Sequence, residues 1–104
     1  MNEIILTEVQ NGRRVSAAIG DMLILKLQEN PTTGYRWIVQ TTNNLAQVGD
    51  DFFTVAIAAG AGGERCLRFA AQSPGVAHIE AGLQRSWEVG KAPHSVFKAV
   101  VDIR

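Results

Sequence analysis

Ala77, Ile79, Ala81 and Leu83 alternate with His78, Glu80, Gly82 and Gln84. A side-chain period of two belongs to a strand with one buried face and one wet face, and a helix cannot satisfy it. The pattern returns in Phe97, Ala99, Val101 and Ile103, with Lys98 and Asp102 among the residues of the other face. Leu23, Leu25 and Leu27 alternate with Met22, Ile24, Lys26 and Gln28, and Tyr35, Trp37 and Val39 with Arg36, Ile38 and Gln40; both read as strands with mixed outer faces. Trp37, central in its segment, is expected to anchor a core. Further strand segments are expected at Ile4 to Val9, Arg14 to Ala18, part of Phe52 to Ala58, and Cys66 to Ala70, where Leu67 and Phe69 point inward. The Ala-rich run from Ala56 to Ala59 suits a helical turn as an alternative.

Turn chemistry separates nearly every pair of segments: Asn11-Gly12, Gly20-Asp21, Asn30-Pro31, Gly49-Asp50, Gly60 to Gly63, and Pro74-Gly75. Asn11-Gly12 predicts a type I′ hairpin, which needs positive φ at both central residues. Seven or eight short strands without a helical period give an all-β fold, an antiparallel sandwich of immunoglobulin-like type. At 104 residues, 46% of them apolar, one domain spanning residues 1–104 can bury a sufficient core.

Charge narrows the partners. Ten basic residues balance ten acidic ones, so neither a basic stripe nor a polyanion partner such as nucleic acid is indicated. No run of about 18 apolar residues is available to span a bilayer, and the N-terminus lacks the basic start and long apolar stretch of a signal peptide. A cytoplasmic monomer is expected, with a periplasmic or secreted location left open. The single cysteine, Cys66, excludes an internal disulfide.

Catalytic chemistry finds no constellation. A nucleophile needs a base within reach and a group to orient it. Cys66 lies on an expected strand beside Arg68 and reads as a small buried hydrophobe. His78 and His94 have no partner at metal-ligand spacing and read as surface histidines, so no metal or other cofactor is expected. Asp50-Asp51 reads as a solvated acidic spot on a turn. Gly60-Ala61-Gly62-Gly63 lacks the Gly-Lys-Ser/Thr of a phosphate cradle, and Pro31 disqualifies Asn30-Pro31-Thr32 as a glycosylation acceptor. An enzyme is not expected.

Three loops have compositions with a physical logic. In Asn30-Pro31-Thr32-Thr33-Gly34-Tyr35, Pro31 fixes φ and biases Asn30 away from the helical region, and the threonines are stiff at χ1. Gly34 permits either a backbone angle or a close approach that other residues forbid. Such a loop loses little entropy on binding, although the same residues also suit a plain turn. Gly60 to Gly63 is bare of side chains, for flexibility or for close main-chain contact. Arg85-Ser86-Trp87-Glu88-Val89-Gly90 carries a tryptophan past the end of a strand, as a binding residue or as a cap on the core.

In this order on an immunoglobulin-like chain, the loops resemble those of the chagasin family of cysteine peptidase inhibitors. That family carries an Asn-Pro-Thr-Thr-Gly-Tyr/Phe loop, complete here at Asn30 to Tyr35. Its Gly-x-x-Gly loop is met by Gly60, Ala61, Gly62 and Gly63, and its Arg-Pro-Trp-like loop by Arg85, Ser86 and Trp87, with Ser86 in place of the usual proline. The resemblance implies inhibition of papain-like cysteine peptidases by loops clustered at one end of the sandwich. Thr32, Thr33 and Gly34 would lie over the catalytic centre, with Asn30 and Pro31 holding the loop's shape. Trp87 would stack on aromatic or apolar groups at one rim of the groove, Arg85 would support it or pair with an acidic residue, and Gly60 to Gly63 would run along the opposite flank. The alternatives are an adhesion or carbohydrate-binding module using the same loops, and an accessory module of a peptidase complex.

Overall fold

Leu23, Leu25 and Leu27 need a second apolar layer to cover them, and the alternating segments later in the chain supply it. The computed structural model describes residues 2–54, 62–88 and 90–104. They form eight strands, β1 (Glu3–Leu6), β2 (Arg13–Ala17), β3 (Met22–Glu29), β4 (Tyr35–Thr41), β5 (Leu45–Thr54), β6 (Gly63–Ala71), β7 (Gly75–Arg85) and β8 (Ser95–Ile103). One sheet runs β1-β3-β6-β5 and the other β2-β8-β7-β4. The expected all-β, immunoglobulin-like sandwich is the fold that forms. Its central pairs are antiparallel, while β1 pairs with β3 and β2 with β8 in parallel.

The core lies where the expected inward faces meet. Leu23, Leu25 and Leu27 of β3 and Leu67 and Phe69 of β6 are buried with Ala77, Ile79 and Ala81 of β7 and Phe97, Ala99, Val101 and Ile103 of β8. Cross-strand neighbours pair large with small, Ala81 with Phe97 and Ile79 with Ala99, so the inner face of the second sheet has room for the leucines opposite. Each fully buried leucine contributes about 2 kcal/mol of apolar transfer free energy. Trp37 is buried as expected, and its indole N–H donates to the Gln28 carbonyl at 2.8 Å, joining the two sheets.

Local expectations fail where side chains redirect the backbone. The strand expected over Ile4 to Val9 stops at Leu6, because Thr7 caps a 3-10 turn at Glu8–Gln10: Val9 N–H donates to Thr7 Oγ1 at 3.3 Å and Thr7 N–H to Gln10 Oε1 at 2.7 Å. Asn11-Gly12 makes no type I′ hairpin. Gly12 has φ +77, but Asn11 has φ −60, and the strands on either side enter different sheets. Gly49-Asp50 is no turn either; it lies inside β5, where the register shifts between Gln47 and Gly49 as a bulge. Nor are the neighbouring aspartates merely solvated, since Asp50 pairs with Arg65 at 3.0 Å and Asp51 with Arg68 at 2.6 Å. The alternative of a helical turn at Ala56 to Ala59 falls outside the described residues.

Candidate functional site

The Asn30 to Tyr35 segment carries the chain from β3 in one sheet to β4 in the other, and its own side chains shape it. Asn30 Oδ1 accepts the Thr32 N–H at 3.1 Å and the Thr32 hydroxyl at 2.7 Å, while the Thr33 hydroxyl donates to the Asn30 carbonyl at 2.7 Å. With Pro31 supplying a preset φ, residues Pro31–Thr33 form a 3-10 turn, closed by Gly34 N–H donating to the Pro31 carbonyl at 3.1 Å. Pro31, Thr32 and Thr33 are exposed. Gly34 ends the turn at φ +80, the left-handed region that disfavours side chains.

Gly34 is also a contact point. A β-carbon there would stand 2.3 Å from Trp87 Cη2, so the indole lies directly on the glycine. Trp87 is 67% exposed, which excludes the reading of a core cap. Arg85 closes β7 opposite Tyr35, its register partner. Its Nε donates to the Thr33 carbonyl at 3.0 Å, its guanidinium lies 4.2 Å from the Tyr35 ring centroid, and Glu88 pairs with it at 3.3 Å. The Glu88 N–H closes the turn onto the Arg85 carbonyl at 3.1 Å, with Ser86 exposed within it. A serine at this position therefore still permits a tight turn.

On the other flank, Gly60 and Ala61 lie outside the described residues. Gly62 runs beside the root of the central loop, where an added β-carbon would be 3.2 Å from the Glu29 carbonyl and 3.5 Å from Asn30 Cβ. Gly63 belongs to no loop. It opens β6 between Glu29 and Thr54, and a β-carbon on it would collide with the Phe53 carbonyl at 2.3 Å and with the Phe52 ring. Pro31, Gly62 and Trp87 thus belong to one end of the sandwich, with the central loop flanked on both sides.

Beneath this end lies a cluster that the reading by composition passed over. Glu29 and Arg65 are both buried. Glu29 Oε2 accepts the Trp37 N–H at 3.0 Å and Arg65 Nε at 3.2 Å; Arg65 Nη2 reaches Oε1, and Nη1 donates to Asp50 Oδ1 at 3.0 Å. The bonds from Glu29 raise the Arg65 pKa above its ordinary value, with burial opposing and Asp50 adding to the rise. A signal was available. Glu29 continues the inward series Leu23, Leu25, Leu27, and Arg65 continues Leu67, Phe69 in the other direction, so a carboxylate and a guanidinium face inward at the same end.

The remaining candidates fall where expected. Cys66 is buried, and desolvation pushes its thiol pKa up, away from reactivity. His78 and His94 are exposed, the latter packed 5.0 Å from the Tyr35 ring. The site is therefore a ridge of stiff loops carrying an exposed indole, with no nucleophile and base brought together among these residues.

A family model described as chagasin family peptidase inhibitor I42 matches residues 16–101. Amoebiasin-2 of Entamoeba histolytica is 29% identical over 93 residues, covering 86% of this chain and 76% of that protein. The crystal structure of the cysteine protease inhibitor EhICP2, also from Entamoeba histolytica, superposes with a TM-score of 0.88 at 27% identity, over 100% of this chain and 97% of the other. The solution structure of Amebosin gives a TM-score of 0.78 at 25% identity, over 98% of both chains.

Proposed function

The chain belongs to the chagasin family of peptidase inhibitors and is a cysteine peptidase inhibitor rather than an enzyme, and from that premise we propose that its loop ridge enters the active-site cleft of a papain-like peptidase and is not cut. One observation carries the mechanism: the Asn30, Pro31 and Thr33 carbonyls of the central loop are already engaged. Asn30 O accepts from Thr33 N–H at 3.2 Å and from the Thr33 hydroxyl, Pro31 O from Gly34 N–H, and Thr33 O from Arg85 Nε. A thiolate attacks a carbonyl whose face and oxygen are free to be posed against oxyanion donors. These carbonyls are turned into the loop's own bonding.

In this reading Thr32, Thr33 and Gly34 occupy the space over the catalytic cysteine, and Asn30 and Pro31 maintain the turn. Trp87 and Ser86 meet one rim, Arg85 braces Trp87 and Tyr35, and Gly62 lies towards the opposite flank. The internal bonding means that little conformational entropy is lost on docking, so an interface of about 1,600 Å² supports nanomolar binding. An adhesion or carbohydrate-binding role draws no support from the relatives.

Titrating papain with the purified chain tests the proposal. Stoichiometric loss of turnover, with the inhibitor recovered intact, is the expected result. Undiminished turnover at micromolar chain, or cleavage between Asn30 and Tyr35, overturns it.

A further inference from the structure

The cluster under the loops has a wiring that core stability alone does not call for. Glu29 is the last residue of β3 and immediately precedes the central loop; Trp37, whose N–H it accepts, lies in β4 just after that loop. The Trp37 indole N–H returns the link to Gln28 at 2.8 Å, so the loop's two roots are cross-tied between the sheets. Arg65 extends the tie sideways. Its guanidinium binds both Glu29 oxygens and, through Asp50, the strand from which the flanking segment departs, while Arg65 itself lies two residues after Gly63, where that segment returns. The Arg65 guanidinium also lies 5.3 Å from the centroid of the Phe52 ring, the ring against which Gly63 is packed.

We infer that Glu29 and Arg65 are positioning residues for inhibition: their buried, bidentate pair sets the spacing between the Asn30 to Tyr35 loop and the Gly62 flank, and so the width of the wedge. The inference rests on the inhibitory reading above. A planar guanidinium holding a carboxylate by two parallel bonds fixes both distance and rotation, which an apolar contact of equal area does not. Buried ion pairs add little to stability compared with well-packed apolar replacements, so stability alone does not account for this one, and the inference gives it the fixing of geometry.

The test separates alignment from folding. Glu29→Gln combined with Arg65→Met keeps an acceptor for the Trp37 N–H and removes both charges and the fork. The melting temperature should stay within a few degrees of the parent, while the inhibition constant for papain rises at least tenfold, mainly through slower association, because the loops must then be brought into register during docking. Assays run well below the melting temperature, where essentially all chains are folded, so stability does not enter the constant. Arg65→Lys retains the charge without the fork; it should raise the constant about threefold or more, and it decides the matter if the double variant does not fold. If the parent inhibits and the folded variants inhibit equally well, the inference is overturned and the inhibitory reading stands. If the parent leaves papain untouched, the inhibitory reading falls and the inference falls with it.

Discussion

Arg65 and Arg85 hold the central loop from its two sides, in opposite electrostatic settings. The Arg65 side chain is 10% exposed and grips a carboxylate that is 2% exposed; the Arg85 side chain is 34% exposed and grips a backbone carbonyl while lying on the Tyr35 ring. A half-broken buried pair strands a charge in low dielectric, whereas an exposed guanidinium that loses a contact returns to water. The flank at Arg65 is therefore all-or-none, and the flank at Arg85 tolerates adjustment. That difference accounts for where change is affordable in a surface that must fit a partner: Ser86 stands in a turn on the tolerant side.

The contrast breaks most visibly at Glu29. Glu29→Ala should lower the unfolding free energy by about 3 kcal/mol in urea denaturation, because Arg65 is left unpaired, while Arg85→Ala should lower it by under about 1 kcal/mol. Equal losses would erase the distinction. Next in size is Trp87→Ala, expected to weaken papain binding by about 2 kcal/mol, roughly thirtyfold in the inhibition constant. Its melting temperature should not move, since the indole is 67% exposed. A falling melting temperature would mean that the Arg85 flank is structural after all.

Gly34→Ala sharpens the comparison further. It places a methyl group at φ +80 and 2.3 Å from the indole, so about 1–2 kcal/mol of stability should be lost. Adding Trp87→Ala should recover the steric part and leave the backbone part, which a double-mutant cycle reads as coupling. Strict additivity would show that the indole does not rest on the glycine.

The smallest effect lies at the other end of β3. Asp21 is a buried carboxylate too, yet among the described residues it accepts backbone N–H groups, from Ala18 at 2.9 Å and Asn2 at 3.0 Å, and these chiefly hold its pKa below the ordinary carboxylate value. A depressed folded pKa gives stabilisation that is complete above the unfolded value of about 4 and is lost as pH falls through the folded value. Asp21→Asn should therefore flatten the acid limb of the stability profile below about pH 4 and leave inhibition at neutral pH unchanged. An unaltered acid limb would show that these bonds do not favour the ionised form.

The sandwich was readable because period-two alternation reports burial on one face, and tertiary packing only reinforces it. The loop motif was readable because Asn30, Pro31, Thr32 and Thr33 act on the backbone within a few residues. What escaped were bonds between residues far apart in the chain. Asn11-Gly12 has the composition of a hairpin, but Asn11 finds partners on β8 and turns the chain towards the second sheet. Gly49 has the composition of a turn and serves a bulge. Composition marked Gly34 as special without distinguishing a positive φ from a close neighbour, and the structure requires both.

The Asn11 amide has one more consequence. Its Nδ2 donates to the Val96 carbonyl at 3.2 Å and its Oδ1 accepts the Lys98 N–H at 2.9 Å, just ahead of the register in which β2 first meets β8 at Ala99. A single carboxamide thus stands in for a stretch of missing strand, occupying main-chain groups at which a foreign backbone would otherwise begin to zip on. The stretch of the β8 edge that β2 leaves unpaired is thus closed by one side chain rather than offered as open main chain.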